Sequence, residues 1–160
     1  MDTELSARQK LELNARVVDL RLKEFVTLSD EIFNASATTK SFLKFWKRIP
    51  YEKLKNESIE IANKLSNLAN TLQSPIRNEI YSHLNFAEQN FFDCLVEFAC
   101  AIADSSEILS QNQEMFYLRS CNKRTLTLKE TMERSELYNK SMEKYHAIGI
   151  QLQNLYNALP

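Results

Sequence analysis

The chain is most apolar around residues 91–109, which read FFDCLVEFACAIADSSEIL. Phe91, Leu95, Phe98 and Ile102 recur at spacings of three and four, which is the pattern of one face of an α-helix. Other sides of the same helix are also apolar, at Phe92, Val96, Ala99 and Ala103. A helix that is apolar on most of its sides lies among other helices. We therefore expect this segment to be the central element of the fold.

Two further apolar stripes with helical spacing lie before this segment in the sequence. The first stripe predicts a helix from about Ser6 to the Asn34 region, and it consists of Leu11, Ala15, Val18, Leu22, Phe25 and Ile32. This stripe is widened by Leu13, Val17, Leu20 and Leu28. We therefore expect the first helix to touch two neighbours. The second stripe consists of Leu54, Ile61, Leu65, Leu68 and Leu72.

The helix boundaries are marked by few residues. Pro50 is the first firm boundary, and Ser74-Pro75 supplies an N-cap residue followed by proline at the first helical position. From Ile76 to Leu109 the central stripe predicts a helix of up to about 35 residues. Residues 110–113 (SQNQ) are either a turn or a polar patch on a continuing helix. A thinner, more polar stripe from Glu114 to Leu159 predicts a last helix that is half exposed.

The composition excludes several fold classes. The chain has 160 residues, of which 44% are hydrophobic and 26% charged, with one glycine and a net charge of -1. Rossmann folds, P-loop enzymes and β-sandwiches need more glycines for their tight turns, and nonspecific DNA binding needs a basic surface. We predict an all-α fold: one domain over residues 1–160, built as an elongated bundle of three or four long antiparallel helices, with a kink or break near 50 and 74–75. Such a bundle buries less surface per residue than a globule, so we expect a homo- or heterodimer.

The cysteines favour a reducing compartment. Cys94, Cys100 and Cys121 are odd in number and lie in apolar helical stretches, unlike a disulfide framework. Together with His83 and His146 they lack the paired spacing of a tetrahedral zinc site. The first residues lack the pattern of a signal peptide. The most apolar stretch, Cys94 to Ala103, is too short for a membrane span and is interrupted by Glu97. We therefore expect a cytoplasmic protein without a metal or cofactor.

The strongest local signal is the segment KSFLKFWKRI at residues 40–49. Helical spacing puts Phe42, Phe45, Trp46 and Ile49 on one face and Lys40, Lys44, Lys47 and Arg48 on the opposite face. Such a helix can lie on an anionic membrane with its aromatic side chains inserted, or can pack its aromatic face into the core. The candidate membrane or partner surface is Lys40, Lys44, Phe45, Trp46, Lys47 and Arg48.

Residues 77–83 (RNEIYSH) resemble the motif of HEPN ribonucleases, in which an arginine and a polar residue are followed after a short gap by a histidine. The resemblance implies that Arg77 and His83 act on RNA phosphodiester bonds at a dimer interface. An arginine can stabilise charge on a phosphate while a histidine transfers a proton. Six positions turn about 240° on a regular helix, so a distorted helix or a partner chain would have to complete the site. We favour the alternative, an exposed or capping arginine and an ordinary histidine.

The chain as a whole resembles the BAR domains of sorting nexins, because it combines long helices, a kink at a proline and the apolar stretch 91–99 leading to Ile108-Leu109. The resemblance implies a curved dimer that binds membranes through basic residues on its concave face and tips. Here that role would fall on the basic residues of 40–48, or on Arg119, Lys123 and Arg124.

We therefore predict a non-enzymatic, intracellular dimerisation or scaffolding module, in its most specific form a BAR-like trafficking domain at an anionic membrane surface. The first alternative is a helical adaptor that binds a partner protein without a membrane. The second is a HEPN-like ribonuclease using Arg77 and His83. A nucleic-acid partner is disfavoured by the near-neutral charge.

Overall fold

The computed structural model describes residues 5–37, 49–74 and 76–159. Within these ranges the chain is helical and contains no strand, which confirms the predicted all-α fold. The long helices are α1 (Ala7–Ala37), α2 (Tyr51–Gln73), α4 (Phe86–Ser120) and α5 (Leu128–Asn157). The short helix α3 (Ile76–Ile80) and a 3-10 turn (Tyr81–His83) connect α2 to α4. The 35 residues of α4 span about 52 Å, more than the roughly 40 Å diameter of a compact domain of this size.

The four long helices of the described ranges form an antiparallel bundle. Lys53 at the start of α2 pairs with Glu31 near the end of α1, and Glu88, which follows α2 in the chain, lies beside Arg8 at the start of α1. Helix α2 therefore runs back along α1. Gln73 contacts Cys100, whereas Lys55 at the other end of α2 contacts Tyr117, so α4 reverses again. Helix α5 runs back along α4, and its contacts to α4 run from Asn112–Arg134 at one end to Phe91–Tyr156 at the other. The order around the bundle is therefore α1, α2, α4 and α5.

Helix α4 is the central element, as the periodicity predicts. Phe92 and Ile102 are fully buried, and α4 contacts each of the other long helices. Helix α1 buries its predicted stripe at Leu11, Val18 and Phe25. The prediction that four flanking residues widen this buried stripe is wrong for two of them: Leu13 and Leu20 are exposed, although they lie beside the buried face.

Three helix boundaries differ from the prediction: the start and the end of the central helix, and the start of the last helix, which is Leu128 and not Glu114. The central helix begins at Phe86 and not at Ile76, because Asn85 forms a capping box: its side chain accepts a hydrogen bond from the Glu88 N–H, and the Glu88 carboxylate accepts one from the Asn85 N–H. The helix then continues through residues 110–113, where Asn112 and Gln113 are buried. These residues are therefore a polar patch of the helix and not a turn.

The turn that ends α4 lies at residues 121–127. Asn122 has φ 56°, and the N–H groups of Asn122 and Lys123 donate to the carbonyls of Arg119 and Leu118. This is a Schellman motif in which asparagine takes the left-handed position that glycine usually fills. Thr127 and Glu130 then form a second capping box that starts α5.

Candidate functional site

A groove lies between α1 and α5 in the described part of the bundle, with α4 as its floor. Its volume is about 1000 Å³. Leu11, Val18 and Leu22 contribute from α1, while Phe91, Leu95 and Phe98 form the floor. The wall on α5 includes Gly149, Leu152 and Tyr156. The lining is therefore largely apolar along a length of about 27 Å, from Arg8 to Val26 on α1.

The side chains on the two walls explain why the groove stays open. Ala15 of α1 and Gly149 of α5 both border it, and neither has a side chain long enough to bridge the gap. Of the described residues of α5, Tyr145 and Ile148 are buried, and the others are half-buried or exposed. The expected half-exposed last helix is therefore observed, and the seam between α1 and α5 is the loosest side of the bundle.

Tyrosines of α5 close the seam at one level. The ring of Tyr145 stands edge-on to Phe25, with 6.1 Å between ring centroids, and also contacts Phe98. Two turns away the hydroxyls of Ser29 and Tyr138 are 3.2 Å apart. Burial raises the pKa of both tyrosines, so they remain neutral. Beyond this bridge a smaller cavity of about 300 Å³ continues along the same seam.

The two rims of the groove differ in charge. On α1 the rim carries Arg8, Glu12, Arg16 and Asp19, whose charges alternate in sign along the helix. Arg8 Nε lies 3.6 Å from Glu12 and 3.9 Å from the capping carboxylate of Glu88. The opposite rim belongs to residues 145–159, a stretch of the sequence without Asp, Glu, Lys or Arg. One rim is therefore charged and the other neutral.

Exposed apolar side chains stand beside the neutral rim. Ile150 is 66% exposed and Tyr156 is 58% exposed, and both border the groove. The groove and these two side chains together form the candidate site.

The predicted membrane or partner surface lies outside the described residues. Lys40, Lys44, Phe45, Trp46, Lys47 and Arg48 all fall between residues 37 and 49, where the description is interrupted. The prediction for this segment therefore stays a prediction.

The structure places Arg77 and His83 on different elements of the connection between α2 and α4. Arg77 Nη2 lies 2.8 Å from Asp93 Oδ1, and its guanidinium stacks over the Tyr81 ring. The Tyr81 hydroxyl donates to the other oxygen of Asp93 at 2.8 Å, which is the main reason that the pKa of Tyr81 is raised. His83 is exposed at the end of the 3-10 turn. Arg77 thus ties this connection to α4, and the ribonuclease hypothesis stays a prediction.

The cysteines occupy three different environments. Cys94 is buried, Cys100 is half-buried and accepts a hydrogen bond from Gln73 Nε2 at 3.0 Å, and Cys121 is exposed. Burial raises the pKa of the Cys94 and Cys100 thiols. Within the described ranges no cluster of His, Cys, Asp or Glu has the arrangement of a metal site.

A basic cluster lies at one end of the bundle, around the turn between α4 and α5. Arg119, Lys123 and Arg124 are exposed there, and Arg124 lies 3.6 Å from Glu130. Leu128, 78% exposed, is the first residue of α5 in the same region. Basic and apolar side chains therefore occur together at this tip.

No protein-family model matches the chain, and neither the curated proteins nor the solved structures contain a significant match. None of the described helices is both long and apolar enough to span a membrane.

Sequence reasoning missed the groove, although two signals pointed to it. The uncharged stretch 145–159 is unusual at the end of a polar helix, and the one glycine of the chain lies within it. Together they indicate a helix that approaches its neighbour closely and keeps an uncharged surface beside the contact.

Proposed function

We propose that this chain is a non-enzymatic, intracellular assembly module that binds a helix of a protein partner in the groove between α1 and α5. The observation that carries the proposal is the open seam between α1 and α5: among the described residues of α5 two are buried, and an apolar groove of about 1000 Å³ opens on the side that faces α1. A helix placed in this groove would cover Ile150 and Tyr156. The hydrophobic effect would favour that burial by about 1.5–3 kcal/mol for a fully covered aliphatic side chain.

The shape of the groove favours a helix over a small molecule. Small-molecule sites enclose most of the ligand surface, whereas this groove is open to solvent along about 27 Å between two antiparallel helices. An α-helix is about 10 Å wide and can present apolar residues every three or four positions to such a surface. The partner that fits this groove is therefore an amphipathic helix.

A library of amphipathic helical peptides tests the proposal without knowledge of the natural partner. The library is selected on the wild-type protein, and each selected peptide is then measured on two variants of α5. Ile150→Glu places a charge beside the groove, and Leu137→Glu is the matched control, because Leu137 is a similarly exposed aliphatic residue outside the groove lining.

We expect peptides that bind the wild type and Leu137→Glu with similar affinity and bind Ile150→Glu at least about tenfold more weakly. Circular dichroism should show the same helix content in all three proteins. If no peptide prefers the wild type over Ile150→Glu, the groove is not a helix-binding site and the proposal fails.

The basic tip favours a second candidate function, a BAR-like module at an anionic membrane. Arg119, Lys123 and Arg124 would interact with head groups while Leu128 inserts among them, each basic residue contributing roughly 1 kcal/mol. The test is sedimentation with anionic vesicles, in which binding should weaken with added salt and with the triple change of these cations to glutamate. A blue shift of Trp46 fluorescence on binding would assign membrane contact to the segment 40–49 instead. If the protein does not bind vesicles at low salt, this candidate function is excluded.

A further inference from the structure

We propose that the groove is covered by the same groove of a second copy of this chain, with the two α1 helices side by side and antiparallel across a two-fold axis. This inference rests on the proposed function, since it names the partner of the same groove. The charges along the rim of α1 identify that partner.

The charged rim is complementary to itself when it is reversed. Arg8, Glu12, Arg16 and Asp19 are separated by four, four and three residues, so they follow one flank of the helix at the edge of the groove. In an antiparallel pair, Glu12 faces Arg16 of the partner subunit and Arg8 faces Asp19 of the partner subunit. A parallel pair would bring like charges together at each position. Flanking charges of this kind set the orientation of paired helices.

The symmetry centre of this charge row coincides with an exposed apolar residue of α5. The row is centred near Asn14, midway between Glu12 and Arg16. Phe25 of α1 meets Tyr145 of α5, and the two helices are antiparallel. Tyr156 lies eleven residues after Tyr145 on α5, and Asn14 lies eleven residues before Phe25 on α1. Because the two helices are antiparallel, Tyr156 is therefore level with Asn14. In the proposed dimer, Tyr156 lies beside the two-fold axis.

The same arrangement covers the apolar lining. A two-fold axis through this point places one groove over the other, so α1 and α5 of both copies surround a shared apolar interior. Each copy contributes the same surface, as an isologous interface requires. The neutral rim of residues 145–159 then faces a partner without placing an unpaired charge in the interface.

Charge reversal across the proposed pair tests the inference. Glu12→Arg places two arginines opposite each other at both symmetric positions, and Arg16→Glu places two glutamates there. The dimer of each single variant should therefore have a dissociation constant at least about tenfold higher than that of the wild-type dimer. A mixture of the two variants restores both opposite-charge pairs, so we expect it to form a heterodimer. The mass of each sample is measured by light scattering, for which a dimer has twice the 18.7 kDa of the chain.

Glu60→Arg is the matched control. Glu60 pairs with Lys64 at the same i,i+4 spacing at which Glu12 pairs with Arg8, on an exposed face of α2 that does not line the groove. We expect this variant to remain as dimeric as the wild type. Circular dichroism of every variant excludes unfolding as the cause of a change in mass.

The outcomes separate this inference from the proposed function. A wild type that stays monomeric at high micromolar concentration overturns the inference. A dimer that is insensitive to both single variants, or a mixture that does not reassociate, overturns it as well. In each case the peptide selection still tests whether the groove binds a helix. Specific peptides with a monomeric wild type would mean that the partner is a different protein.

Discussion

Gly149 packs against the ring of Phe98: a β-carbon on Gly149 would lie 3.0 Å from Phe98 Cε2, so close that the ring would have to move by a few tenths of an ångström. Glycine in a helix interior costs about 1 kcal/mol relative to alanine. Here this cost is offset by the close approach of α5 to α4. The contact lies at the floor of the groove, so the same glycine sets the spacing of the candidate site.

A larger side chain at Gly149 should push α5 away from α4. We expect Gly149→Val to lower the free energy of unfolding by about 1–3 kcal/mol, because the added methyl groups overpack against Phe98. The matched control is Ala147→Val, at an exposed position of the same helix, which should cost less than about 1 kcal/mol. Urea denaturation measures both values, and equal effects at the two positions would contradict the close packing.

The two neighbouring phenylalanines at the start of the apolar stretch should differ in their contribution to stability. Phe92 is fully buried, and truncation to alanine should cost about 3–5 kcal/mol because it leaves a cavity. Phe91 borders the groove, where water can enter the vacated space, so Phe91→Ala should cost at least about 1 kcal/mol less. Chemical denaturation of the two variants measures the difference. A larger loss at Phe91 would mean that the groove is closed in solution.

The capping box of α5 should make stability depend on pH. The pKa of Glu130 is lowered chiefly because its carboxylate accepts hydrogen bonds from the Thr127 N–H and hydroxyl. Since the folded pKa is below the unfolded one, this stabilisation is present above the unfolded pKa and is lost as the pH falls through the folded pKa. We therefore expect Glu130→Gln to be less stable than the wild type at neutral pH and equally stable once Glu130 is protonated.

Urea midpoints at several pH values test this expectation. Glu133→Gln is the control, because Glu133 is an exposed residue of the same helix that does not take part in the cap. A stability difference between Glu130→Gln and the wild type that stays constant with pH would show that the cap does not depend on the charge.

The three thiols should react in the order of their exposure. We expect a maleimide reagent to modify Cys121 first, since it is exposed, and Cys100 more slowly, since it is half-buried and its pKa is raised by burial. Cys94 should react only when the bundle unfolds. Peptide mass spectrometry after timed labelling measures the order. Labelling of Cys94 as fast as Cys121 under native conditions would show that α4 and α5 separate readily.

The local capping motifs at the two ends of α4 explain why its boundaries could not be predicted correctly. Asn85 and Glu88 form a capping box that interrupts the apolar stripe without changing its spacing, so periodicity alone carries the predicted helix back to Ile76. Asn122 ends α4 without a glycine or proline, whereas the polar run at residues 110–113 has the composition of a turn but lies within the helix. Both features are local hydrogen-bond patterns, and their residue types also occur inside helices.

Hydrophobic periodicity was sufficient to derive the all-α class, the first helix and the central position of residues 91–109. The reason is that an apolar stripe at helical spacing must be buried against other helices, whatever their arrangement. The exposure of Leu13 and Leu20 and the open seam beside α5 depended instead on which helices became neighbours. Side-chain volume from distant parts of the chain fills or leaves each gap. Ala15 and Gly149 come to line the same groove only after the bundle has folded.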